Sequence, residues 1–246
     1  MVGEALVPVI NVRKITVPKA RRPDQIRSDE TMPQDVDGLR VVEPKDVALR
    51  LRLDYSHGVK DHNTKVIEEV AGLCSKVKRS NLDMDSLLAE TADMVSRLFG
   101  IASVAIAIWD PALRLYKFRV VTGLGQEGTA LYKSISFTKE QIVDDKTYPC
   151  HEISKQTKLY LTEDHPYVEG EEPTFARPTL LGMKRRSLTD SLEADYLCVF
   201  IHGPNDETIG WIEISGTRLR KLPDVITIRW IELIACMMGA VLHTKW

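Results

Sequence analysis

The residues whose side chains are best suited to carry out a reaction are an adjacent cysteine and histidine, Cys150 and His151, in the segment YPCHEISKQTKLYLTED. A thiol acts as a nucleophile when it is accessible and a neighbouring group favours the thiolate. The other cysteines, Cys74, Cys198 and Cys236, are far from Cys150 in the sequence. We therefore treat Cys150 and Cys198 as reactive-thiol candidates, and an exposed Cys-His pair at the start of a helix is the simpler interpretation.

The histidines and cysteines do not have the spacing of a metal site. The sequence contains no CxxC pair, and His151, His165 and His202 are widely separated. Structural zinc sites use closely spaced cysteine and histidine ligands, and no spacing in this sequence supports ligation of haem or another metal group. The sequence therefore predicts no metal site, and it identifies no cofactor.

A second group of candidates lies on a predicted hairpin in the segment LCVFIHGPNDETIGWIEISG, from Leu197 to Gly216. Two stretches rich in β-branched and aromatic residues flank a short polar turn, which is the pattern of paired antiparallel strands. With His202 opposite Ile209, one face of the hairpin is apolar and the other carries mixed side chains. On the mixed face, this register pairs Phe200 with Trp211 and Cys198 with Glu213.

Glu213 is the most informative residue of the mixed face. A carboxylate on an inward strand face costs free energy unless a partner stabilises it. We expect that partner to be Arg119 or Lys117, which lie on a neighbouring predicted strand.

The predicted strand IASVAIAIW places small side chains on the same side of the sheet: Ser103, Ala105 and Ala107. A wall of small residues beside two aromatic rings and a carboxylate is typical of a ligand cavity. We therefore predict a small-molecule site formed by this wall with Phe200, Trp211 and Glu213. The alternative is a filled core, in which loop residues such as Phe175 and Leu181 occupy the space.

Helical patterns on both sides of these strands complete an α+β chain. Apolar spacing predicts a helix over 62–79, a second helix that ends at Gly100, and a long, largely apolar helix that starts near Asp224. A long variable region spans roughly 126–195 and contains the short strand KLYLTED. Loops of this length within a compact domain are usually functional or mobile.

This order of elements resembles that of the GAF domain family and predicts a GAF-type domain over 82–246. The segment LLAETADMVSRLFGIASVAIAIWDPALRLYKFRVVTGLG is similar to the opening helix and first two strands of the family. KLYLTED is similar to its short strand ending in an acidic residue, and YLCVFIHGPNDETIGWIEISG resembles its last hairpin, with Phe200 where many members have proline. The resemblance implies an antiparallel sheet of five or six strands, with terminal helices on one face and loops over the other.

The resemblance also implies a regulatory, sensory module that binds a small molecule or a protein partner and has no catalysis of its own. A thiol-dependent reductase of free methionine sulfoxide or a similar metabolite is the first alternative, because such GAF-type enzymes have a cysteine at the start of a segment similar to CHEISKQTKLYLTED. Their further loop cysteines have no match between Cys150 and Cys198. A bilin anchor is not expected, since Cys150 lies well upstream of the hairpin. The second alternative is a structural subunit of a larger complex, with a filled pocket.

The first 58 residues differ in composition from the rest of the chain. A basic cluster, RKITVPKARRPDQIR, precedes the acidic stretch SDETMPQDVDGLRVVEP, and prolines recur throughout. Such a segment buries too little apolar surface to offset its ordering entropy. We expect a flexible N-terminal arm over 1–58, or an arm that orders on a partner, followed by the N-terminal helix within 59–81.

The overall composition indicates a globular protein with no strong electrostatic field. Hydrophobic residues make up 43% and charged residues 28% of the chain, and the net charge is -2. With this charge balance, nucleic acid is not an expected partner. A membrane is not an expected partner either, because Arg229 and Glu232 interrupt the most apolar stretch of the sequence. A start without the pattern of a signal peptide favours a cytoplasmic location. A closing helix that is apolar nearly all round must be covered on two sides, which predicts a homodimer, or a complex with a partner protein, through the terminal helices.

Overall fold

The computed structural model describes residues 44–57, 61–77, 83–167 and 169–245. The chain divides into two compact units, Met1–Gly58 and Val59–Trp246. Most of the arm predicted over 1–58, and the end of the helix predicted over 62–79, lie outside the described residues.

Helix α1 (Pro44–His57) is the described part of the first unit, and it was not expected from the sequence. Proline is tolerated at its first position because the first turn of a helix needs no backbone N–H donor. The large apolar side chains of α1 are exposed: Val47, Leu49, Leu51 and Leu53.

The second unit has helices at both ends and a sheet between them. Its helices are α2 (His62–Val77), α3 (Met84–Phe99), α4 (Gln126–Ser134) and α5 (Val225–Lys245), and its strands are β1 (Val104–Asp110), β2 (Leu115–Thr122), β3 (Ser136–Phe137), β4 (His151–Glu152), β5 (Thr157–Tyr160), β6 (Tyr196–His202) and β7 (Thr208–Ser215). Three short 3₁₀ turns lie in the loops, at Gln141–Val143, Glu172–Thr174 and Pro178–Leu180.

The strands form one antiparallel sheet in the order β3-β2-β1-β7-β6-β5-β4. Within the described residues the sheet has seven strands, whereas five or six were expected. The two edge strands, β3 and β4, have two residues each, and strands this short give little periodic signal in a sequence.

The helix side of the sheet holds the larger hydrophobic core. Helices α2, α3 and α5 contribute to it, together with one face of strands β1, β6 and β7. Helix α3 is capped at its start by the Asp83 carboxylate, which accepts from the backbone N–H of Ser86. It ends at Gly100, which has the left-handed conformation that the sequence pattern indicated (φ 62°).

Helix α5 is long and apolar enough to span a membrane by length and composition, over Val225–His243. In this fold its inward face lies in the core, where it buries Ile231, Ile234, Ala235, Met238 and Leu242. At Gly239 the helix touches the sheet backbone, because a Cβ atom there would lie 2.2 Å from the carbonyl oxygen of His202. Helix α5 is thus a core helix of the second unit.

A buried carboxylate joins α5 to the turn between β4 and β5. Glu232 accepts hydrogen bonds from the hydroxyls of Thr157, at 2.8 Å, and Ser154. Gln156 in the same turn donates to the carbonyl oxygen of Phe200 on β6 (2.9 Å). The polar residue that interrupts the apolar stretch therefore serves to hold a sheet edge against the helix.

An irregularity in the β1–β2 pairing changes which residues of β2 face the loops. Ile106 lies opposite Val120 and Ala107 opposite Phe118, so Arg119 is an extra residue on β2. The bulge moves Val120 to the helix side, while Phe118 stays on the loop side. Regular alternation along β2 would place Phe118 and Val120 on the same face.

The close approach at Gly239 predicts opposite effects for two glycine-to-alanine changes in helices. Gly239→Ala must push α5 away from the His202 carbonyl oxygen, and we expect it to lower the free energy of unfolding by about 1–3 kcal/mol. Gly72→Ala is the matched control, because a Cβ atom there meets nothing within 4 Å. Since alanine favours a helix, Gly72→Ala should raise stability by up to about 1 kcal/mol. Urea denaturation measures both, and an unchanged Gly239→Ala protein would contradict this packing.

Candidate functional site

The predicted face of the last hairpin is formed in the structure. Phe200 lies opposite Trp211 and Cys198 opposite Glu213, in the register expected from the sequence. His202, however, lies opposite Thr208 instead of Ile209, because the pairing is irregular between Ile201 and His202. The error in register is therefore confined to the turn end of the hairpin.

The small residues of β1 lie beside this face. Ala105 is opposite Glu213 and Ala107 is opposite Trp211. Both alanines are buried in a second, aromatic cluster on the loop side of the sheet. Ser103 is half-buried just before β1. The structure thus brings together the six residues that the sequence predicted as neighbours, although ligand binding by them remains a prediction.

The partner of Glu213 comes from a helix that the sequence did not predict. The hydroxyl of Tyr132, in α4, donates to Oε1 of Glu213 at 2.8 Å. Arg119 instead forms an ion pair with Asp85 of helix α3, at 2.8 Å on the helix side of the sheet. Lys117 is not a partner of Glu213 either, so the pairing expected from the sequence is wrong. The physical reason is that Tyr116 and Phe118 face the loops, so the alternating residues Lys117 and Arg119 lie on the other side of the sheet.

Helix α4 reaches the sheet through a close contact with the loop that follows β5. A Cβ atom at Gly128 would lie 2.0 Å from the carbonyl oxygen of Pro173, so only glycine allows this approach. The helix delivers Tyr132 over Phe118, with ring centroids 5.0 Å apart. Tyr132 therefore occupies space over the small-residue wall that the sequence analysis assigned to a ligand or to Phe175 and Leu181.

The carboxyl group of Glu213 has an unusual protonation equilibrium. Burial raises its pKa from 4.5 to about 7, and the hydrogen bond from Tyr132 opposes that shift only in part. The indole of Trp211 also lies close enough to lower the pKa of Glu213, but its Nε1 makes no hydrogen bond of acceptable geometry. Near neutral pH, Glu213 can accept or donate a hydrogen bond, and the buried indole N–H is a donor without an acceptor.

Two small cavities and an open groove surround this pair. The first cavity, of about 60 Å³, lies beside Trp211 and Glu213 and is lined by Tyr148, Tyr160, Tyr196, Cys198 and Phe200, among others. The second, of about 30 Å³, is lined by Tyr132, Ser103, Ala105 and Phe175, and also by Glu213. The groove, of about 530 Å³, runs from Phe118 and Tyr132 past Tyr167 to Phe175, and Glu213 lines it too. Leu181 lines none of these three spaces.

The chemistry of the two thiol candidates is unfavourable for nucleophilic attack. The thiol of Cys150 lies 3.4 Å from a carboxylate oxygen of Asp145, and burial together with this hydrogen bond raises the pKa of Cys150. Burial, and then the nearby Glu213, raises the pKa of Cys198 well above its usual value. Both thiols are therefore protonated near neutral pH.

His151 does not activate Cys150. Its Nε2 atom lies 2.8 Å from a carboxylate oxygen of Asp164, and the residue is exposed at the start of β4. The expected exposed pair at a helix start is therefore corrected: Cys150 is half-buried and a short strand follows it. Among the described residues, no group of three or more His, Cys, Asp or Glu side chains is arranged to hold a metal ion.

The raised pKa of Glu213 predicts how stability depends on pH. Between about pH 4.5 and 7 the folded state keeps a proton that the unfolded state has lost, so this contribution to stability is lost as the pH rises. In Glu213→Gln the contribution is absent. We expect this variant to gain about 1–3 kcal/mol relative to the wild type as the pH rises from about 4.5 to 7.5.

Urea denaturation across this pH range measures the effect. Glu152→Gln, a change on the exposed strand β4, is the control and should keep the pH dependence of the wild type. Parallel curves for the wild type and Glu213→Gln would show that Glu213 is not perturbed by burial.

Comparisons with known proteins agree with a likeness of fold. No family model matches the sequence, and no curated protein matches it. Among solved structures, the chain is similar to a GAF domain of the Acinetobacter phosphoenolpyruvate-protein phosphotransferase, with 10% identity and a TM-score of 0.46 over 72% of this chain and 92% of that chain. It is also similar to the nlh2 GAF domain of A. aeolicus, with 14% identity and a TM-score of 0.49 over 76% of this chain and 100% of that chain.

A third similar structure is the GAF domain/HD domain protein from Geobacter sulfurreducens, with 12% identity and a TM-score of 0.47 over 71% of this chain and 96% of that chain. At these identities and scores, the likenesses assign no ligand, partner or activity. The antiparallel sheet, with the terminal helices on one face and α4 and the loops on the other, has the arrangement that the sequence resemblance predicted.

Proposed function

We propose that the chain is a regulatory module without catalysis of its own, and that it binds a small molecule at the loop face of its sheet. The observation that carries the proposal is the pair of polar groups inside the aromatic cluster. Glu213 accepts from the Tyr132 hydroxyl and lies 3.9 Å from the Cys198 thiol. The buried Nε1 of Trp211 lies near Glu213 but makes no hydrogen bond within the described residues. A buried polar group without a partner is costly, and a bound ligand would remove that cost.

The proposed ligand would enter along the groove beside α4 and displace the Tyr132 hydroxyl from Glu213. It would carry an acceptor for the Trp211 indole and a polar group for Glu213, while aromatic neighbours such as Phe200 and Phe118 supply apolar contact area. The small cavities, of about 30 and 60 Å³, are too confined for more than solvent-sized molecules unless Tyr132 moves. The site is therefore proposed to open on binding.

A structural subunit with a filled pocket is the second candidate, and the position of Tyr132 over the small-residue wall favours it. The reductase alternative has less support, because both Cys150 and Cys198 are stabilised as thiols and His151 pairs with Asp164. We accordingly expect Cys150 to be dispensable for folding and binding.

The ligand proposal predicts the effect of filling the wall. Ala105→Leu should abolish the retention of small molecules from a metabolite extract of the source cells, because the added atoms occupy the space opposite Glu213. It should also cost about 1–3 kcal/mol of stability, since Ala105 is already packed. Native mass spectrometry of the re-purified protein measures the retention. Ala112→Leu, on the exposed turn after β1, adds the same atoms elsewhere and is the control.

The outcomes of this experiment separate the candidates. A retained mass that Ala105→Leu loses and Ala112→Leu keeps supports the small-molecule site. A wild type that retains nothing from the extract contradicts it and favours the filled core.

A separate assay tests the enzyme alternative. If the wild type reduces free methionine sulfoxide and Cys150→Ser or Cys198→Ser does not, the enzyme alternative is correct.

We also propose that the terminal helices form a homodimer or a partner interface. Helix α5 exposes Ile226 and Leu233, and helix α2 exposes Ile67. The two helices meet where the thiol of Cys74 lies 3.8 Å from the sulfur of Met237. Dimer interfaces between helices are usually formed by apolar side chains on adjacent helices. We call the exposed apolar side chains of α2 and α5 the seam.

A charged side chain in this seam should prevent association. We expect a dimeric wild type by light scattering, a monomeric Leu233→Glu variant, and a dimeric Leu113→Glu variant, in which the charge lies on the exposed turn between β1 and β2, outside both helices. A protein that is monomeric at micromolar concentration and captures no partner in pull-downs would contradict this interface.

A further inference from the structure

A basic pocket lies between the long loop and the segment that leads into α5. Its walls are residues 177–193 on one side and residues 219–221 on the other. The two segments are joined by backbone hydrogen bonds from Ser191 to Arg220 (3.0 Å) and from Leu222 to Thr189 (2.9 Å). The pocket has a volume of about 160 Å³, and neither Glu213 nor Trp211 lines it.

Positive charge predominates in the lining. Five basic side chains line the pocket: Arg177, Lys184, Arg186, Arg220 and Lys221. Two carboxylates, Asp190 and Glu193, line it as well. The formal balance is therefore three positive charges in excess, although the whole chain has a net charge of -2.

The two carboxylates are already neutralised by two of the basic residues. Glu193 accepts from Nε of Arg177 at 2.8 Å and also from the backbone N–H of Arg177. Asp190 accepts from Nζ of Lys221 at 2.6 Å, and also from backbone N–H groups in its own loop. These pairs account for two of the five basic side chains in the lining.

The remaining three cations have no anionic partner. Within the part of the chain that the structure describes, Lys184 and Arg186 make no side-chain hydrogen bond or ion pair, and Arg220 contacts only the sulfur of Met183 (3.8 Å). Guanidinium groups bind phosphate oxygens through paired, charge-assisted hydrogen bonds. Three unpaired cations around a concave space thus match an anion of more than one negative charge.

We propose that this pocket binds a phosphate monoester group. Such a group carries close to two negative charges at neutral pH and has three acceptor oxygens, which suits donors that approach from several directions. Arg186 and Arg220 approach from opposite walls, and Lys184 adds a third charge. The excess positive charge of the lining would then be largely compensated.

The surroundings of the pocket bear on the source of the phosphate. Leu188 is 96% exposed two residues after Arg186, and Leu219 is 83% exposed next to Arg220. Exposed leucines beside basic residues are typical of surfaces that contact a lipid headgroup region. The same phosphate monoester can therefore be presented by a soluble metabolite or by a lipid.

Glycerol 3-phosphate and phosphatidic acid present this group in the two forms. Calorimetric titration with glycerol 3-phosphate at low ionic strength tests the soluble form. Co-sedimentation with phosphatidylcholine vesicles that contain phosphatidic acid tests the lipid form, with pure phosphatidylcholine as the blank. We expect saturable binding in at least one arm, weakening as salt is added because the interaction is electrostatic.

The double variant Arg186→Gln/Arg220→Gln should weaken that binding by at least about tenfold, since it removes two charge-assisted contacts. The control Lys133→Gln/Lys146→Gln makes the same change in net charge at exposed positions outside the pocket and should bind as the wild type does. Lys184→Gln is a second pocket variant, in case the double variant does not fold. Binding to vesicles alone assigns the lipid source, and binding to glycerol 3-phosphate assigns the soluble one.

Two results would overturn the proposal. One is the absence of saturable binding in both arms. The other is equal binding by the pocket variants and by the Lys133→Gln/Lys146→Gln control, which would reduce the interaction to the general charge of the surface.

Discussion

The hydrogen bond from Tyr132 to Glu213 is the contact on which the loop side of this fold depends. It ties α4, an element outside the sheet, to a carboxylate on the central strand β7, within the aromatic cluster of the loop side. Without that donor the carboxyl group would be left among apolar neighbours, which is unfavourable for its charged form. With Tyr132 in this position, little space is left above Ala105. One hydrogen bond therefore both holds α4 against the sheet and restricts the access of a ligand to Glu213.

The two faces of the sheet are built on different principles. The helix side is a conventional aliphatic core, in which α5 approaches so closely at Gly239 that backbone meets backbone. The loop side is aromatic, contains ionisable groups and keeps small unfilled spaces. If a ligand binds at the loop side, the closely packed helix side can pass the change to the contacts of the terminal helices, while the loop side adapts to the ligand. Strand β5 spans both, because Thr157 bonds Glu232 of α5 while Tyr160 lines the cavity.

Much of this arrangement was predictable from the sequence because it rests on strand alternation. The pairing of Phe200 with Trp211 and of Cys198 with Glu213 follows from the two-residue period of strands in a hairpin. The end of helix α3 was predictable because glycine readily adopts the left-handed conformation that Gly100 has there. Helix α4 could not be predicted in the same way, since it is short, its polar and apolar residues separate only weakly, and of its residues only Gly128 is buried. The partner of Glu213 was missed for that reason. The bulge at Arg119 also breaks the alternation without any glycine to signal it.

The proposed ligand site beside Glu213 and Trp211 requires a small molecule to displace Tyr132. The most direct measurement is the indole N–H resonance of Trp211 in a ¹H–¹⁵N spectrum, recorded as small-molecule fractions of the source cells are added. We expect one fraction to shift the Trp211 resonance and to leave that of Trp230, on helix α5, unchanged. A Trp211 resonance that no fraction alters, or one that moves only together with Trp230, would contradict it.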